Sequence, residues 1–229
     1  MHIMEGFLPH PWWEVWFALS LPAVAYGVKV AGNLAKDRRD VLPLLAVAGA
    51  FIFVLSSLKL PSVTGSSSHP TGTGLGAIFF GPAVTAVVST VVLIYQALFL
   101  AHGGITTLGA NVFSMGIAGP ALGYAAYKGA TKLRLNLYAA VFLSAFTSDL
   151  ATYLITALQL AMAFPAATGV WTSFRAFAAV FAITQIPMAA MEGVVTAFIF
   201  RYLLRARSDV LVRLKVISGS YAKPVEVWH

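Results

Sequence analysis

The 229-residue sequence contains no cysteine, which excludes disulfides and thiolate ligands, so any metal it holds must sit on nitrogen or oxygen. Charge is scarce as well: Asp, Glu, Lys and Arg make up 10% of the chain, against about 25% in an average soluble domain. Apolar residues account for 59%, and together these values exclude an ordinary globular protein in water and place the chain in lipid. No Gly-x-x-x-x-Gly-Lys-Ser/Thr pattern occurs, so the Gly/Ser/Thr-rich stretch from Thr64 to Gly76 is not a phosphate-cradling loop and no ATP hydrolysis is expected of this chain. His-Glu-x-x-His is also missing. The first dozen residues hold neither Lys nor Arg and no apolar run before Trp12, so no secretory leader is expected and Met1 is expected to remain the terminus.

What is present is a series of long apolar runs, about 13–32, 41–58, 111–131, 136–163 and 173–204, each near the roughly 20 residues that span a bilayer. The expected fold is all-α: a bundle of about seven membrane helices, with the N-terminus outside and tucked into the bundle. A membrane-embedded domain is expected over 1–205 and a cytoplasmic tail over 206–229. The net charge of +7 does not point to nucleic acid, because the cations gather in loops. Lys36, Arg38, Arg39, Lys128, Lys132, Arg134 and the tail from Arg201 should be cytoplasmic, and 59–74, 101–110 and 163–172 should face outward with the N-terminus. Segment 75–100 must then leave the outer side and return to it. As one helix it would extend about 39 Å, too short for two crossings of a roughly 30 Å core. A re-entrant pair broken at Gly81-Pro82 is therefore expected, with a short first limb at about 75–81 that is buried against other helices.

His2 and His69 carry the chemistry. With histidine at position two, a free α-amine, the next amide nitrogen and an imidazole nitrogen can reach one point through small chelate rings. If His69 adds a fourth nitrogen, the site can be planar, which suits Ni(II), Cu(II) or low-spin Co(II) better than tetrahedral Zn. With ordinary pKa values, such a site would release more than one proton per metal at neutral pH.

Three passages carry a resemblance: Met1–Gly6, Leu58–Gly76 and Ala101–Asn111. They are similar to the CbiM/NikM family, the substrate-binding S components of energy-coupling factor importers for cobalt and nickel, over Met1 to about Glu192. The resemblance implies that Met1 contributes its amine, His2 its amide and imidazole, and His69 the last nitrogen. It implies Ni(II) or Co(II) as transported substrate and a transmembrane scaffold subunit, two ATP-binding subunits and possibly a small accessory membrane subunit as partners. It further implies the cytoplasmic membrane of a prokaryote as location, with reorientation of the whole bundle as the mechanism. An intramembrane metalloenzyme or a proton-coupled secondary carrier would be the competing readings.

Around the ligands, Ser67, Ser68, His102, Asn111 and Asp149 are candidates to support them through hydrogen bonds. His102 could equally be a solvated turn residue. Asp149 and Glu192 lie within apolar runs, where an ionisable group faces a partner or a cavity; structural pairing, support of a histidine and proton coupling all remain open. Trp12, Trp13 and Trp16 read as an interfacial belt. Ala23, Gly27 and Ala31 form a small-residue stripe that suits either a docking partner or internal packing, whereas Gly119 and Gly123 suit internal packing. His10 and His229 look incidental.

Overall fold

The computed structural model describes residues 1–61 and 66–217. Thr64 and Gly65 of the hydroxyl-rich loop, the last part of the tail and His229 lie outside the described residues. The architecture is all-α apart from three very short strands. Strand β1 (His2–Ile3) precedes α1 (Trp12–Asp37); a 3₁₀ turn (Arg39–Val41) leads into α2 (Leu42–Ser57), and β2 (Leu60–Pro61) and β3 (Ser66–Ser68) follow. Next come α3 (Thr73–Phe80), α4 (Pro82–Phe99), α5 (Leu108–Asn111), a π-helical stretch (Val112–Ala118) and α6 (Gly119–Lys132). The chain continues through α7 (Leu137–Ala163), α8 (Val170–Ala206) and α9 (Ser208–Arg213). Five of these segments are long and apolar enough to cross a membrane: Trp12–Asp37, Arg39–Ser57, Pro82–Phe99, Leu137–Ala163 and Val170–Ala206. The protein is an all-α integral membrane protein.

The break at Gly81-Pro82 falls where the sequence places it, with Gly81 at φ 80°. Proline withholds the amide that would continue the ladder, and glycine accepts the left-handed turn. Helix α3 is short and buried from Thr73 to Ile78. Its small residues permit that position: a Cβ on Gly74 would lie 2.6 Å from Ala145 Cα, and one on Gly76 would lie 3.1 Å from Thr85 Cγ2. Pro120 accounts for the π-helical widening ahead of α6, because its ring crowds the carbonyl one turn back and it lacks an amide donor.

The two ends of the bundle differ in chemistry. At one, β1 pairs antiparallel with β3, with His2 opposite Ser67 and Ile3 opposite Ser66, and β2 pairs on the other edge of β3. Met1, Ile3, Leu8 and Trp16 pack there with Tyr153, Leu160 and Phe181. At the other, Leu75, Ile78, Tyr127 and Phe200 pack with Leu211 and Ile217 from beyond α8. Arg38 Nη1 donates to the Arg213 carbonyl there at 2.6 Å, tying the end of α1 to the segment after α8.

Two expectations about α1 change. Trp16 is buried against Phe113, ring centroids 5.0 Å apart, so it is a core residue rather than part of a belt with Trp12 and Trp13. The Ala23/Gly27/Ala31 stripe faces inward at its centre: a Cβ on Gly27 would fall on the Ala83 carbonyl oxygen and 2.8 Å from Val87 Cγ2. Close approach at Gly27 is thus used by α4 of the same chain, which leaves no room there for an external partner. Gly119 and Gly123 pack internally as expected, the latter with a Cβ position 2.7 Å from the Ser144 carbonyl.

Candidate metal centre

The N-terminal strand is held inside the bundle by hydrogen bonds that other elements supply. Ile3 N donates to Asn111 Oδ1 at 2.8 Å, and the Ile3 carbonyl accepts from Asn111 Nδ2 at 3.0 Å and from Thr107 Oγ1 at 2.8 Å. This clamp satisfies both backbone polar groups of the buried residue Ile3, as burial requires. Farther out, Thr106 N donates to the Glu5 carboxylate at 3.2 Å and Gly6 N donates to Thr106 Oγ1 at 3.0 Å. The 102–107 turn comes close enough to demand glycine: at Gly103, φ is 78° and a Cβ would lie 3.0 Å from Asn111 Nδ2 and 3.4 Å from His2 Cδ2.

Met1, His2, His69 and His102 meet in the interior, all nearly inaccessible to solvent. The His2 and His69 rings are stacked with centroids 4.3 Å apart, and His102 stands edge-on to both, at 4.3 Å and 4.9 Å. One ring nitrogen from each of the three lies within 4.8 Å of the others. The hydrogen bonds determine which nitrogens are free. His69 Nδ1 donates to the Pro70 carbonyl at 2.8 Å, which leaves the Nε2 lone pair without a partner. His102 Nε2 pairs with Ser67 Oγ at 2.8 Å, leaving Nδ1 unpartnered. Neither nitrogen of His2 has a hydrogen-bond partner among the described residues.

Burial keeps these nitrogens unprotonated. Burial, and then the proximity of His69 and His102, holds the His2 imidazole well below its usual range. Burial does the same to His69 and brings His102 down to about 3. The Met1 amino group falls from an ordinary 8.0 to about 6, again through burial, with the charges of Asp149 and Glu192 pulling the other way. Unprotonated nitrogens with free lone pairs are the form a metal ion requires.

The loop carrying His69 is fixed from α8. Glu192 accepts from Gly72 N at 2.8 Å, from Thr71 Oγ1 at 3.0 Å and from Thr71 N, so its carboxylate lies at the N-terminus of α3, where a helix end favours negative charge. Structural pairing, one of the readings open for Glu192, is thus the one observed. Of the other candidates, Ser67 meets His102, Ser68 Oγ pairs with Thr184 Oγ1 at 3.0 Å, and Asn111 holds Ile3 rather than a histidine. Asp149 is buried, and neither of its oxygens has a hydrogen-bond partner among the described residues. His10 lies away from the centre, exposed and paired with Glu14 at 2.6 Å. The sequence reading missed Thr107, Glu5 and the role of Thr71. Only the adjacency of Thr106-Thr107 to Gly103-Gly104 and Asn111 hinted at the first of these.

Fold and site together define a multi-pass helical membrane protein that buries its own amino terminus and three imidazoles in one chamber. Residues 2–210 match the CbiM family, described as the cobalt uptake substrate-specific transmembrane region. Among curated relatives, a putative cobalt transport protein CbiM 2 of Methanosarcina barkeri is 63% identical over 222 residues, covering 95% of this chain and 94% of its own length. A cobalt transport protein CbiM of Anoxybacillus flavithermus is 55% identical over 204 residues, covering 89% and 82%. A crystal structure of a transition metal transporter superposes with TM-score 0.79 at 28% identity, covering 94% of this chain and all of that one. A truncated transition metal transporter gives 0.77, also at 28%, covering 90% and 99%. The chain belongs to the CbiM family.

Proposed function

We infer that the protein is the substrate-capturing membrane subunit of an importer for Co(II) or Ni(II), and that the ion is held at an all-nitrogen, planar site formed by the Met1 amine, the His2 amide and imidazole, and His69 Nε2. The observation that carries this reading is the set of buried nitrogens without partners: both of His2 and Nε2 of His69, beside a buried amine. Leaving buried polar groups unsatisfied costs about 1–3 kcal/mol each, and a metal ion offsets part of that cost by taking up the lone pairs of one His2 ring nitrogen, of His69 Nε2 and of the amine. Cobalt is the cargo named for the relatives, and nickel accepts the same donors.

The histidine end faces outward and the end rich in Arg and Lys faces the cytoplasm, by the positive-inside rule. The energy source is a partner module of a transmembrane scaffold and two ATP-binding subunits, with or without a small accessory membrane subunit. The chain itself transports and does not catalyse. Movement of the whole bundle against the scaffold carries the site across the membrane.

A second reading of the ligands has its own support. His102 Nδ1 is also buried without a partner, so three imidazoles could form the set. The test is metal content by mass spectrometry on purified wild type, His2→Ala, His69→Ala and His102→Ala, with a visible spectrum. A planar nickel site gives a yellow diamagnetic species that vanishes with His2 or His69 and survives, weakened, without His102. Equal loss in all three variants would establish the three-imidazole set, and metal retained without His2 would overturn both.

A further inference from the structure

The end of the bundle opposite the histidines holds a cavity of about 590 Å³ that the transport reading does not use. Its walls come from the last turn of α1, from the α3–α4 turn, from α6 and from the segment after α9. Ile78, Phe79 and Leu34 contribute apolar surface to the lining, and Arg38, Lys128 and Lys215 contribute cations. The phenol-bearing Tyr124 and Tyr127 and the hydroxyl of Thr131 add polar groups.

We propose that this cavity binds an anionic phospholipid, with the phosphate near Lys128 and Lys215 and the upper part of the acyl chains against Ile78 and Phe79. Charge complementarity argues for that occupant. The four ion pairs among the described residues are His10–Glu14, Arg38–Asp40, Arg207–Asp209 and Arg213–Asp209. Lys128 and Lys215 therefore have no carboxylate partner there; the Lys128 ammonium lies over the Tyr124 ring, 5.3 Å from its centroid. Cations outnumber carboxylates near these helix ends: Lys36, Arg39, Lys132, Arg134, Arg201 and Arg205 lie near the C-terminal ends of α1, α6 and α8, against Asp37, Asp40 and Asp209. Lysine and arginine clusters at the ends of membrane helices attract anionic headgroups.

The shape agrees with the charge. A volume of about 590 Å³ falls among small-ligand sites of roughly 300–1,000 Å³, which suits a glycerophosphate headgroup with the start of its chains. A lining that combines cations with apolar and aromatic side chains matches an amphiphile better than a free anion, whose binding would gain nothing from Ile78, Phe79 and Leu34. The position, where α1 and α6 end, is the level of a headgroup layer.

The experiment is native mass spectrometry of the detergent-purified full chain titrated with phosphatidylglycerol, phosphatidylcholine or inorganic phosphate. Wild type is expected to retain one phosphatidylglycerol in preference to phosphatidylcholine. Lys128→Gln and Lys215→Gln should each weaken that retention roughly fivefold, the equivalent of about one cation–headgroup interaction. Lys132→Gln, outside the cavity lining, should not. Melting in phosphatidylcholine alone should be the same for all three variants and wild type, which separates lost binding from lost folding. Equal retention of both lipids would overturn the proposal, as would an equal effect of Lys132→Gln, which signifies diffuse surface charge. Displacement of the lipid by inorganic phosphate at matching concentration would also overturn it in favour of a simple anion site.

Discussion

Replacing Glu192 with Gln tests how far the metal centre depends on a residue that touches no ligand. In the wild-type protein both carboxylate oxygens act only as acceptors, taking Thr71 N, Thr71 Oγ1 and Gly72 N. Glutamine keeps one acceptor oxygen and presents an NH₂ group where the other was, so at least one buried amide loses its acceptor and faces a second donor. Losing one hydrogen bond to a charged acceptor costs about 1.5–3 kcal/mol, and a stranded buried donor adds a comparable term. Thr71 is two residues from His69, whose ring is aimed by its own bond to the Pro70 carbonyl. About 2–3 kcal/mol lost from the order of this loop corresponds to cobalt or nickel binding weakened roughly 30- to 150-fold. The assay is competition against a chromophoric chelator in detergent, with a melting curve run in parallel on the metal-free protein. Wild-type affinity together with a wild-type melting temperature would refute the reasoning, because the loop would then be held by something other than Glu192.

The remaining expectations concern the donors themselves. A residue added before Met1 turns the buried amine into an amide and should abolish high-affinity binding, with recovery once the extension is cleaved; equal affinity with the extension in place would remove the amine from the ligand set. His10→Ala should bind like wild type, since His10 is exposed and engaged with Glu14. Loss of metal in that variant would show the ligand set to be wrong. The Met1 amine is brought down to about 6 and the imidazoles lie below 6.5, so these donors remain unprotonated from high pH down to about 6, and affinity should drop once pH falls through that value. At pH 7 the count by calorimetry in two buffers should then be about one proton, that of the His2 amide, rather than the larger number that ordinary pKa values imply; a count near zero would eliminate amide ligation. Hydrogen exchange should be slow at the Ile3 amide, clamped in the interior, and fast at the Gly6 amide, whose bond to Thr106 is exposed; the reverse order would contradict the burial of β1.

Much of this was legible because the informative signals were local. Gly81-Pro82 announces a helix break in whatever company it is found, and the apolar runs announce spans, which is why α1, α2, α7 and α8 begin and end within a few residues of the expected positions. The meeting of His2 with His69 could be anticipated from the passages around them. Side-chain direction could not. Trp16 and Trp13 are three residues apart on one helix, and only the arrival of Phe113 makes one of them core. Gly27 belongs to a stripe that reads the same whether the approaching helix is internal or foreign. Glu192 and Asp149 look alike in sequence, each one carboxylate in an apolar run, yet one receives two backbone amides and a hydroxyl and the other receives nothing. That difference depends on where the loop after His69 comes to rest, which is a property of the assembled bundle.

The geometry of the proposed centre is imposed on β1 from the side. Three separate parts of the sequence do this. Asn111 and Thr107 hold the Ile3 peptide, β3 runs alongside β1, and Glu192 fixes the turn that presents His69. The apolar contacts of the Met1 side chain with Trp16, Leu160 and Phe181 anchor the end that must carry the amine. The clamp, the strand pairing and the Glu192 bonds each span more than 60 residues of sequence, so none of these three can form before the helices have packed. The nitrogens are therefore gathered by the finished bundle, and their lone pairs are left free because every other polar group of β1 that the clamp reaches has been satisfied by a protein partner.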